Sequence, residues 1–110
     1  MISGDNGYMS EPVVEDVPEI HHYELRKDGE LIGHINYRDD GSRRVVLHTV
    51  VDDAHTGQGL GTKLIVAALD DVRAKGKRVV ALCPMAAAFV TKNRDYDDIV
   101  DAPHVLDSRD

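Results

Sequence analysis

The amino-acid sequence predicts a single α+β domain. Three observations lead to that fold class. Short strand-like segments separated by turn signals fill the first half of the 110 residues, apolar residues recur at helical spacing after a glycine-rich turn, and a short continuous apolar run follows them. A chain of this length supports one modest hydrophobic core and is too short for two.

The first half of the chain predicts an antiparallel meander of three strands. Segments 21–26 and 30–38 are separated by Asp28-Gly29, which is a hairpin signal because glycine tolerates a positive φ. A second turn signal at residues 39–42 leads into segment 43–51, which is rich in β-branched valines. Strands joined by such short turns are expected to pair side by side.

The next predicted element is an amphipathic helix that follows the glycine-rich turn. Its apolar positions recur at helical spacing and are Leu60, Leu64, Ala67, Ala68 and Val72. Gly76 is placed to end the helix after Ala74. Arg73 and Lys75 lie near its negative end, where cations stabilise a helix.

A second strand and a second helix complete the predicted fold. Segment 79–83 is a short continuous apolar run, which is typical of a strand buried on both faces. Proline is favourable at the first position of a helix, so Pro84 predicts a helix over residues 85–93. Segment 96–100 is expected to add one more turn.

Charge is unevenly distributed along the chain, whose net charge is -7. Residues 1–18 are acidic and aperiodic and predict a flexible arm, residues 103–110 predict an acidic tail, and the domain is expected to span 19–102. Between residues 20 and 94, nine acidic residues stand against twelve basic ones. The overall acidity argues against a nucleic-acid partner, and the basic body favours a small polyanionic ligand.

Several classes of site and location lack a sequence signal. No apolar run reaches 18 residues and the start lacks a signal-peptide pattern, so we expect a cytoplasmic protein without a membrane partner. Cys83 is the only cysteine, which excludes an internal disulfide and a cysteine-based zinc site. The histidines show no metal-binding spacing, so no metal site is predicted.

The glycine-rich turn, Gly57-Gln58-Gly59-Leu60-Gly61, opens the predicted first helix and is a candidate phosphate site. The first N–H groups of a helix lack internal partners and lie at the positive end of its dipole, and glycines let an anion approach the main chain. The turn lacks the Gly-Lys-Ser/Thr ending of a Walker loop and the third glycine of the dinucleotide fingerprint. The alternative is a strand-to-helix turn that binds no ligand.

Residues 48–61 resemble the acetyl-CoA-binding segment of the GNAT superfamily of N-acetyltransferases. The signature of that segment is Arg/Gln-x-x-Gly-x-Gly/Ala after a strand that ends in an apolar residue, and Val51, Gly59 and Gly61 match it. Residues 21–100 are similar to short, single-domain GNAT-like proteins, which have a His-Thr segment and a Cys-Pro pair where this chain has His48-Thr49 and Cys83-Pro84. The resemblance implies a GNAT-like (acyl-CoA N-acyltransferase) fold.

The resemblance also implies that the chain binds CoA and uses acetyl-CoA as a co-substrate. In GNAT enzymes the strand before the loop holds the pantetheine arm, and the loop with the helix start holds the pyrophosphate. The implied cofactor-binding residues are Val50, Val51, Thr56, Gly57, Gln58, Gly59, Leu60, Gly61 and Thr62. Two of them depart from the pattern, since Thr56 stands in place of Arg or Gln, and Val50 in place of a Glu that the short relatives often carry.

His48 and Cys83 are the candidate catalytic residues that follow from the resemblance. An imidazole is a suitable general base, so His48 is a candidate to accept a proton from an amine; its alternative role is a structural hydrogen bond between strands. Cys83 is either a nucleophile activated by the helix that Pro84 opens or a small core residue. Tyr96 either protonates the leaving thiolate or is a packing or surface residue without a catalytic role.

The implied function is transfer of an acetyl group from acetyl-CoA to an amine of a small molecule or a protein. Two alternatives are a CoA-binding module without turnover and an interaction domain without a cofactor. The short chain leaves the acceptor side open, so it is expected to act as a monomer or a homodimer. The basic residues after the first helix either reach the 3′-phosphate of CoA or form a solvated helix end; they are Arg73, Lys75, Lys77 and Arg78.

Overall fold

The strands and helices follow one another in the order that the sequence predicts, with one strand added at the front. The structure, a computed structural model, describes residues 11–52 and 59–106, and of His104 the main chain only. The elements are β1 (Val13–Val17), β2 (His22–Lys27), β3 (Glu30–Asp40), β4 (Arg43–Val51), α1 (Leu60–Ala74), β5 (Arg78–Ala81) and α2 (Pro84–Lys92), with 3₁₀ turns at Pro18–Ile20, Arg94–Tyr96 and Pro103–Leu106. No helix in these described ranges is long and apolar enough to cross a membrane.

Within the described residues, five strands form one mixed sheet in the order β1-β2-β3-β4-β5. The first four strands pair antiparallel, and β4 pairs with β5 in parallel. A parallel pair needs a crossover connection, which α1 provides. The predicted α+β class is confirmed, with the antiparallel meander preceding the helix and the short buried strand.

The main hydrophobic core lies between the sheet and the two helices. Leu64 and Val72 of α1 are fully buried and belong to one apolar cluster with Tyr23 of β2 and Ile35 of β3. These α1 positions are the ones that the helical spacing predicts to face the core. Ala86 adds the first turn of α2 to the same cluster.

Two segments outside the predicted domain of 19–102 contribute to the fold, and the expectation of a flexible arm is wrong for residues 13–17. Residues 13–17 of the proposed arm form β1, which pairs with β2 along its whole length. Residues 103–106 of the proposed tail form a turn that packs Leu106 against Val45 and Val80 on the sheet face opposite α1. Both segments contain apolar residues whose pattern is hard to recognise among acidic neighbours. These apolar residues cover surface that the sheet would otherwise expose.

Arg44 is a charged residue in the core, with 4% of its surface exposed. Its guanidinium donates two hydrogen bonds to the Asp39 carboxylate, at 2.8 and 3.0 Å, and one to the Tyr23 hydroxyl at 2.8 Å. It also lies 3.9 Å from the ring centroid of Tyr37 and 3.3 Å from a carboxylate oxygen of Asp16 in β1. A buried charge with this many partners ties β1, β2, β3 and β4 together.

Candidate active site

The parallel strands β4 and β5 separate after four residue pairs. Their register runs from Arg43 opposite Arg78 to Val46 opposite Ala81. The carbonyl of Val46 then accepts hydrogen bonds from the N–H groups of Leu82 and Cys83, at 3.0 and 3.2 Å. Beyond this point β4 continues to residue 51 while the segment after β5 turns into α2, so the strand pairing stops and a gap opens between them.

A β-bulge determines which groups of β4 face this gap. Leu47 has no partner in β3, because Tyr37 pairs with Val46 and Asn36 pairs with His48. An extra residue in one strand reverses the alternation of its side chains beyond that point. Val46 before the bulge and Thr49 after it therefore both face the helices.

The edge of β4 beyond the bulge offers main-chain groups to the gap. The N–H of Asp52 donates to the carbonyl of Ile32 in β3 at 2.8 Å. Since alternate residues of a strand direct their N–H and C=O groups to opposite edges, Val50 also faces β3, and Thr49 and Val51 face the gap. Val50, which the resemblance placed on the pantetheine, has its main chain in the β3 ladder and 47% of its surface exposed.

Glycine is required at the start of α1 for two different reasons. Gly59 caps the helix with a φ of 73°, a left-handed conformation, and no side chain caps the helix there. A Cβ atom at Gly61 would lie 3.0 Å from the sulfur of Met85, so glycine allows α1 and α2 to approach closely. The N–H groups of the first turn point out of the helix start, as an anion site requires.

The other predicted loop residues have different positions. Thr56, Gly57 and Gln58 lie outside the described residues. Leu60 is buried in the core, with 7% of its surface exposed, so only its main chain is available to a ligand. Thr62 is exposed and lines a groove of about 420 Å³ between α1 and α2.

That groove runs along the surface of α2. Its walls are Thr62 and Ile65 from α1, and Met85, Ala88, Phe89, Lys92 and Asn93 from α2 and its end. Its volume falls within the range of small-molecule sites. Met85 lines the groove and lies beside Gly61 at the start of α1, and Lys92 is a cation near the other end.

Cys83 lies where the gap meets the start of α2. It is the N-cap residue of that helix, 4% exposed, and its thiol donates to the hydroxyl of Thr49 at 3.3 Å. Burial raises the pKa of the thiol, but the Thr49 hydroxyl and the backbone N–H groups of Ala86, Met85 and Thr49 together lower it below its ordinary value. The site therefore stabilises negative charge at the Cys83 sulfur.

His48 lies on the opposite face of β4. Successive side chains of a strand point to opposite faces, so His48 and the neighbouring Thr49 diverge. The imidazole is exposed and stands opposite Asn36 in the register. The structure thus brings Thr49 to Cys83 and keeps His48 on the other side of the strand, beside the same gap.

Tyr96 is engaged away from the gap. Its hydroxyl donates to a carboxylate oxygen of Asp70 at 2.9 Å, and its ring packs 6.1 Å from that of Phe89 and 5.0 Å from the guanidinium of Arg73. Burial and the Asp70 carboxylate raise the pKa of this phenol. These contacts describe a packing residue that joins the turn after α2 to α1.

The basic residues after α1 are at the wrong end of that helix for the glycine turn. A helix of 15 residues is about 22 Å long. Arg73 pairs with Asp98, Lys75 with Asp16 and Asp71, and Arg78 with Asp101. Of their two alternative roles, the structure favours the paired and solvated helix end.

Sequence reasoning missed two groups at this site, Thr49 as the partner of Cys83 and Lys92 in the groove. A parallel pairing of β4 with β5 would have suggested the first, but the bulge that turns Thr49 inward has no sequence signal. Lys92 was visible only as a basic residue in the last turn of a helix. Among the described residues, no group of three or more His, Cys, Asp and Glu side chains could hold a metal ion.

Comparison with known proteins supports an assignment of the fold and of the family. The sequence model of the GCN5-related N-acetyl-transferase family matches residues 22–99. No curated protein matches the sequence significantly. The matched residues begin with β2 and end after α2, and they include the gap, the start of α1 and Cys83.

Three solved structures illustrate the likeness of fold. A GCN5-like putative N-acetyltransferase from Staphylococcus aureus, solved in solution, has 22% identity and a TM-score of 0.64, covering 89% of this chain and 96% of that one. The ribosomal-protein-S18-alanine N-acetyltransferase of Escherichia coli has 17% identity and a TM-score of 0.56, over 67% and 50% of the two chains. A GNAT family N-acetyltransferase of Escherichia coli in complex with CoA has 21% identity and a TM-score of 0.53, over 66% and 62%.

Proposed function

The chain belongs to the GCN5-related N-acetyltransferase family, and from that premise we propose that it transfers the acetyl group of acetyl-CoA to an amine. The observation that carries the proposal is the gap between β4 and β5, which joins a free strand edge to the start of α1. A related fold from Escherichia coli was solved in complex with CoA. The fold and the open strand edge together support a CoA thioester as the ligand of this gap.

The proposed cofactor path uses main-chain groups. The pantetheine arm carries amide groups, and the main-chain groups of Val51 and the C=O of Thr49 at the edge of β4 are suited to pair with them as a neighbouring strand would. The N–H of Thr49 is directed at the sulfur of Cys83. Val50 contributes only its exposed side chain to this path. The pyrophosphate then lies at the N-terminus of α1, where Gly59, Gly61 and Thr62 provide N–H groups. We propose Thr56, Gly57 and Gln58 as further contacts on the basis of the sequence resemblance alone.

The reaction requires two proton transfers in addition to the acyl step. The neutral amine attacks the thioester carbonyl, its nitrogen forms the new amide bond, and the carbon–sulfur bond breaks. The proton lost by the amine is accepted by His48, which is exposed on the face open to an acceptor. The proton gained by the CoA thiolate comes from the other face of the strand, where Cys83 is placed beside the gap.

The position of Cys83 also suits a second route, in which its sulfur acts as the nucleophile. Its thiolate attacks the thioester carbon, the bond from that carbon to the CoA sulfur breaks, and CoA leaves as a thiolate that takes a proton from solvent. The amine then attacks the acetyl-cysteine and loses its proton to His48, and the Cys83 thiolate is released. The N–H groups of Met85, Ala86 and Thr49, which lower the pKa of Cys83, stabilise negative charge at its sulfur in this route. Mass measurement of the protein after incubation with acetyl-CoA alone separates the two routes, because only the second leaves an acetyl group on Cys83.

The acceptor is proposed to approach from the face that carries His48. Val50 and Leu82 are exposed there, at 47% and 43%, beside the start of the gap. No helix covers this part of the sheet in the described ranges, and the turn at residues 103–106 covers only the paired end of β4 and β5. Such an open side suits an amine on a protein or a metabolite, with a second copy of the chain as a possible wall.

The experiment that tests the function is calorimetric titration with acetyl-CoA and with CoA. The informative variant is Gly59→Glu, which puts a carboxylate at the phosphate turn, and the matched control is Gly41→Glu in the turn between β3 and β4. Both glycines have positive φ, 73° and 62°, and open space where a Cβ would lie. The two variants therefore carry similar backbone strain, and only one of them places a negative charge at the site.

We expect saturable binding to the wild type and to Gly41→Glu, and at least about a 100-fold weaker affinity in Gly59→Glu. An absence of wild-type binding at millimolar acetyl-CoA would falsify the proposal and leave an interaction domain. Binding without turnover, across a panel of amines, would instead identify a CoA-binding module. His48→Ala and Cys83→Ala then test the two catalytic residues separately.

A further inference from the structure

Most of the arginines and lysines at the far end of α1 are neutralised by carboxylates. Arg78 pairs with Asp101 at 2.8 Å, and Lys75 pairs with Asp16 and Asp71 at 2.6 and 2.8 Å. A cation in such a pair is not available for a ligand without breaking it. The phosphates of a CoA molecule must therefore find their cation elsewhere.

Lys92 is a cation that stays available in the groove between the helices. It is exposed at the end of α2, lines the groove and makes no ion pair with any residue in the described ranges. Lys63 in the first turn of α1 is similarly unpaired there, but it lines a different groove on the other side of α1. Lys92 is thus the cation of the α1–α2 groove that is available to a bound ligand.

The groove leads directly from the proposed pyrophosphate site to Lys92. It begins where Gly61 meets Met85, at the first turns of α1 and α2. Lys92 is seven positions after Met85, so the lysine lies about 10 Å further along the helix. Side chains of a helix lean toward its N-terminus, which brings the ammonium group back toward the phosphates.

We infer that Lys92 binds the 3′-phosphate of the CoA ribose and makes the groove prefer CoA over dephospho-CoA. The inference rests on the proposed function, and it assigns to the nucleotide end a residue that the glycine turn does not include. A phosphate monoester carries more than one negative charge at neutral pH, and a lysine binds it as a point charge. Lys92 is a specificity residue for the cofactor and takes no part in the acyl step.

The remaining groove residues suit an adenosine beside that phosphate. Phe89 offers an aromatic face and Ala88 a small apolar one, against which a base can stack. The side-chain amide of Asn93 donates to the carbonyl of Phe89 at 2.9 Å, which leaves its oxygen as an acceptor for an amino group. These contacts do not distinguish CoA from dephospho-CoA, so the discrimination falls to Lys92.

The test compares the affinities of CoA and dephospho-CoA for the wild type and for Lys92→Ala. The matched control is Lys77→Ala, which removes the same charge just beyond the opposite end of α1. We expect the wild type and Lys77→Ala to bind CoA about five- to tenfold more tightly than dephospho-CoA. Lys92→Ala should lose that preference while its affinity for dephospho-CoA stays within about twofold. The wild-type preference should also shrink as salt is raised.

Each other result overturns the inference. Equal wild-type affinity for the two ligands shows that the 3′-phosphate is not recognised. An equal loss of affinity for both ligands in Lys92→Ala shows that the lysine supports the groove without recognising the 3′-phosphate. A loss of preference in Lys77→Ala places the phosphate site at the other end of α1. If the wild type binds neither ligand, the proposed function itself fails, and that result is distinct from a missing preference.

Discussion

The two ends of the β4–β5 pair differ in whether their polar groups have partners within the protein. At the paired end, Arg44 is buried among carboxylates and tyrosines, and Arg43 and Arg78 share the carboxylate of Asp101. At the open end, β4 has unpaired main-chain groups, α1 starts without a side-chain cap, and Lys92 has no ion-pair partner in the described ranges. Polar groups are satisfied internally where the strands are joined, and they are left for a ligand where the strands part.

This contrast shows that one strand serves two purposes, with stabilising contacts at its start and a proposed binding edge at its end. β4 begins in the charge network and ends in the gap. A network with many partners fixes the relative positions of four strands and of the end of α1. The open end can then keep unsatisfied groups, at some cost in stability, because its geometry is held from the other end.

The largest expected effect comes from breaking the paired end at Arg44. Arg44→Ala leaves the carboxylates of Asp16 and Asp39 without their buried counter-charge, so we expect a loss of about 3–5 kcal/mol in the free energy of unfolding. Urea denaturation followed by circular dichroism measures it. Arg94→Ala is the control, since Arg94 pairs with Asp97 on the surface and should cost at most about 1 kcal/mol. Equal costs for the two variants would contradict a structural role for the network.

Acid should weaken the same end by a smaller amount. Burial raises the pKa of Asp16, but Lys75, Tyr37 and Arg44 outweigh it and lower that pKa, and the hydrogen bonds from Arg44 lower the pKa of Asp39. Their stabilisation is complete above the unfolded pKa of about 3.9 and is lost as the pH falls through the lower folded pKa values. We expect the free energy of unfolding to fall between pH 5 and pH 2.

The urea midpoint measured as a function of pH tests this expectation. Asp16→Asn removes one of the two titrating carboxylates, so the variant should be less stable at neutral pH and should lose less stability in acid. A variant whose midpoint falls as steeply as that of the wild type would assign the acid sensitivity to other groups.

A moderate effect is expected at the open end from Thr49→Val. The Thr49 hydroxyl helps to lower the pKa of Cys83 against the effect of burial. Its removal should move the pH profile of thiol alkylation to higher pH and slow alkylation by iodoacetamide at pH 7 severalfold. Thr91→Val is the control, because the Thr91 hydroxyl donates to Ala87 within α2. An unchanged profile in Thr49→Val would mean that the helix start alone sets the thiol pKa.

The smallest effect is expected from Tyr96→Phe, which tests whether the Tyr96 hydroxyl takes part in catalysis at the open end of β4. Its hydroxyl donates to Asp70 on α1, so the loss should be about 1 kcal/mol or less in unfolding free energy. The rate of acetyl transfer, measured by release of the CoA thiol, should stay within about twofold. A drop of tenfold or more with unchanged stability would return Tyr96 to the role of general acid.

Much of the fold could be predicted from the sequence because its signals are local. The turns at Gly29 and Gly41, the spacing of apolar residues in α1 and the proline that opens α2 all act within a few residues. The strand β1 was missed because a single edge strand among acidic residues has little pattern of its own. Its stability comes from pairing with β2 and from the contact of Asp16 with Arg44.

The site could be predicted only in part, for a similar reason. The glycine turn and Cys83 carry sequence signals, since each precedes a helix. The pairing of Cys83 with Thr49 depends on where β4 and β5 meet, and the isolation of Lys92 depends on which carboxylates the fold brings near the other cations. Such long-range contacts become visible only once the strands are in register.

The bulge at Leu47 has a consequence for mutation of β4. Leu47 is the extra residue, because Val46 lies opposite Tyr37 and His48 lies opposite Asn36. Its removal without loss of pairing would join these two pairs into a regular ladder, in which His48 and Thr49 keep their present faces. The deletion would therefore straighten the strand and leave Thr49 beside Cys83 and His48 on the opposite face.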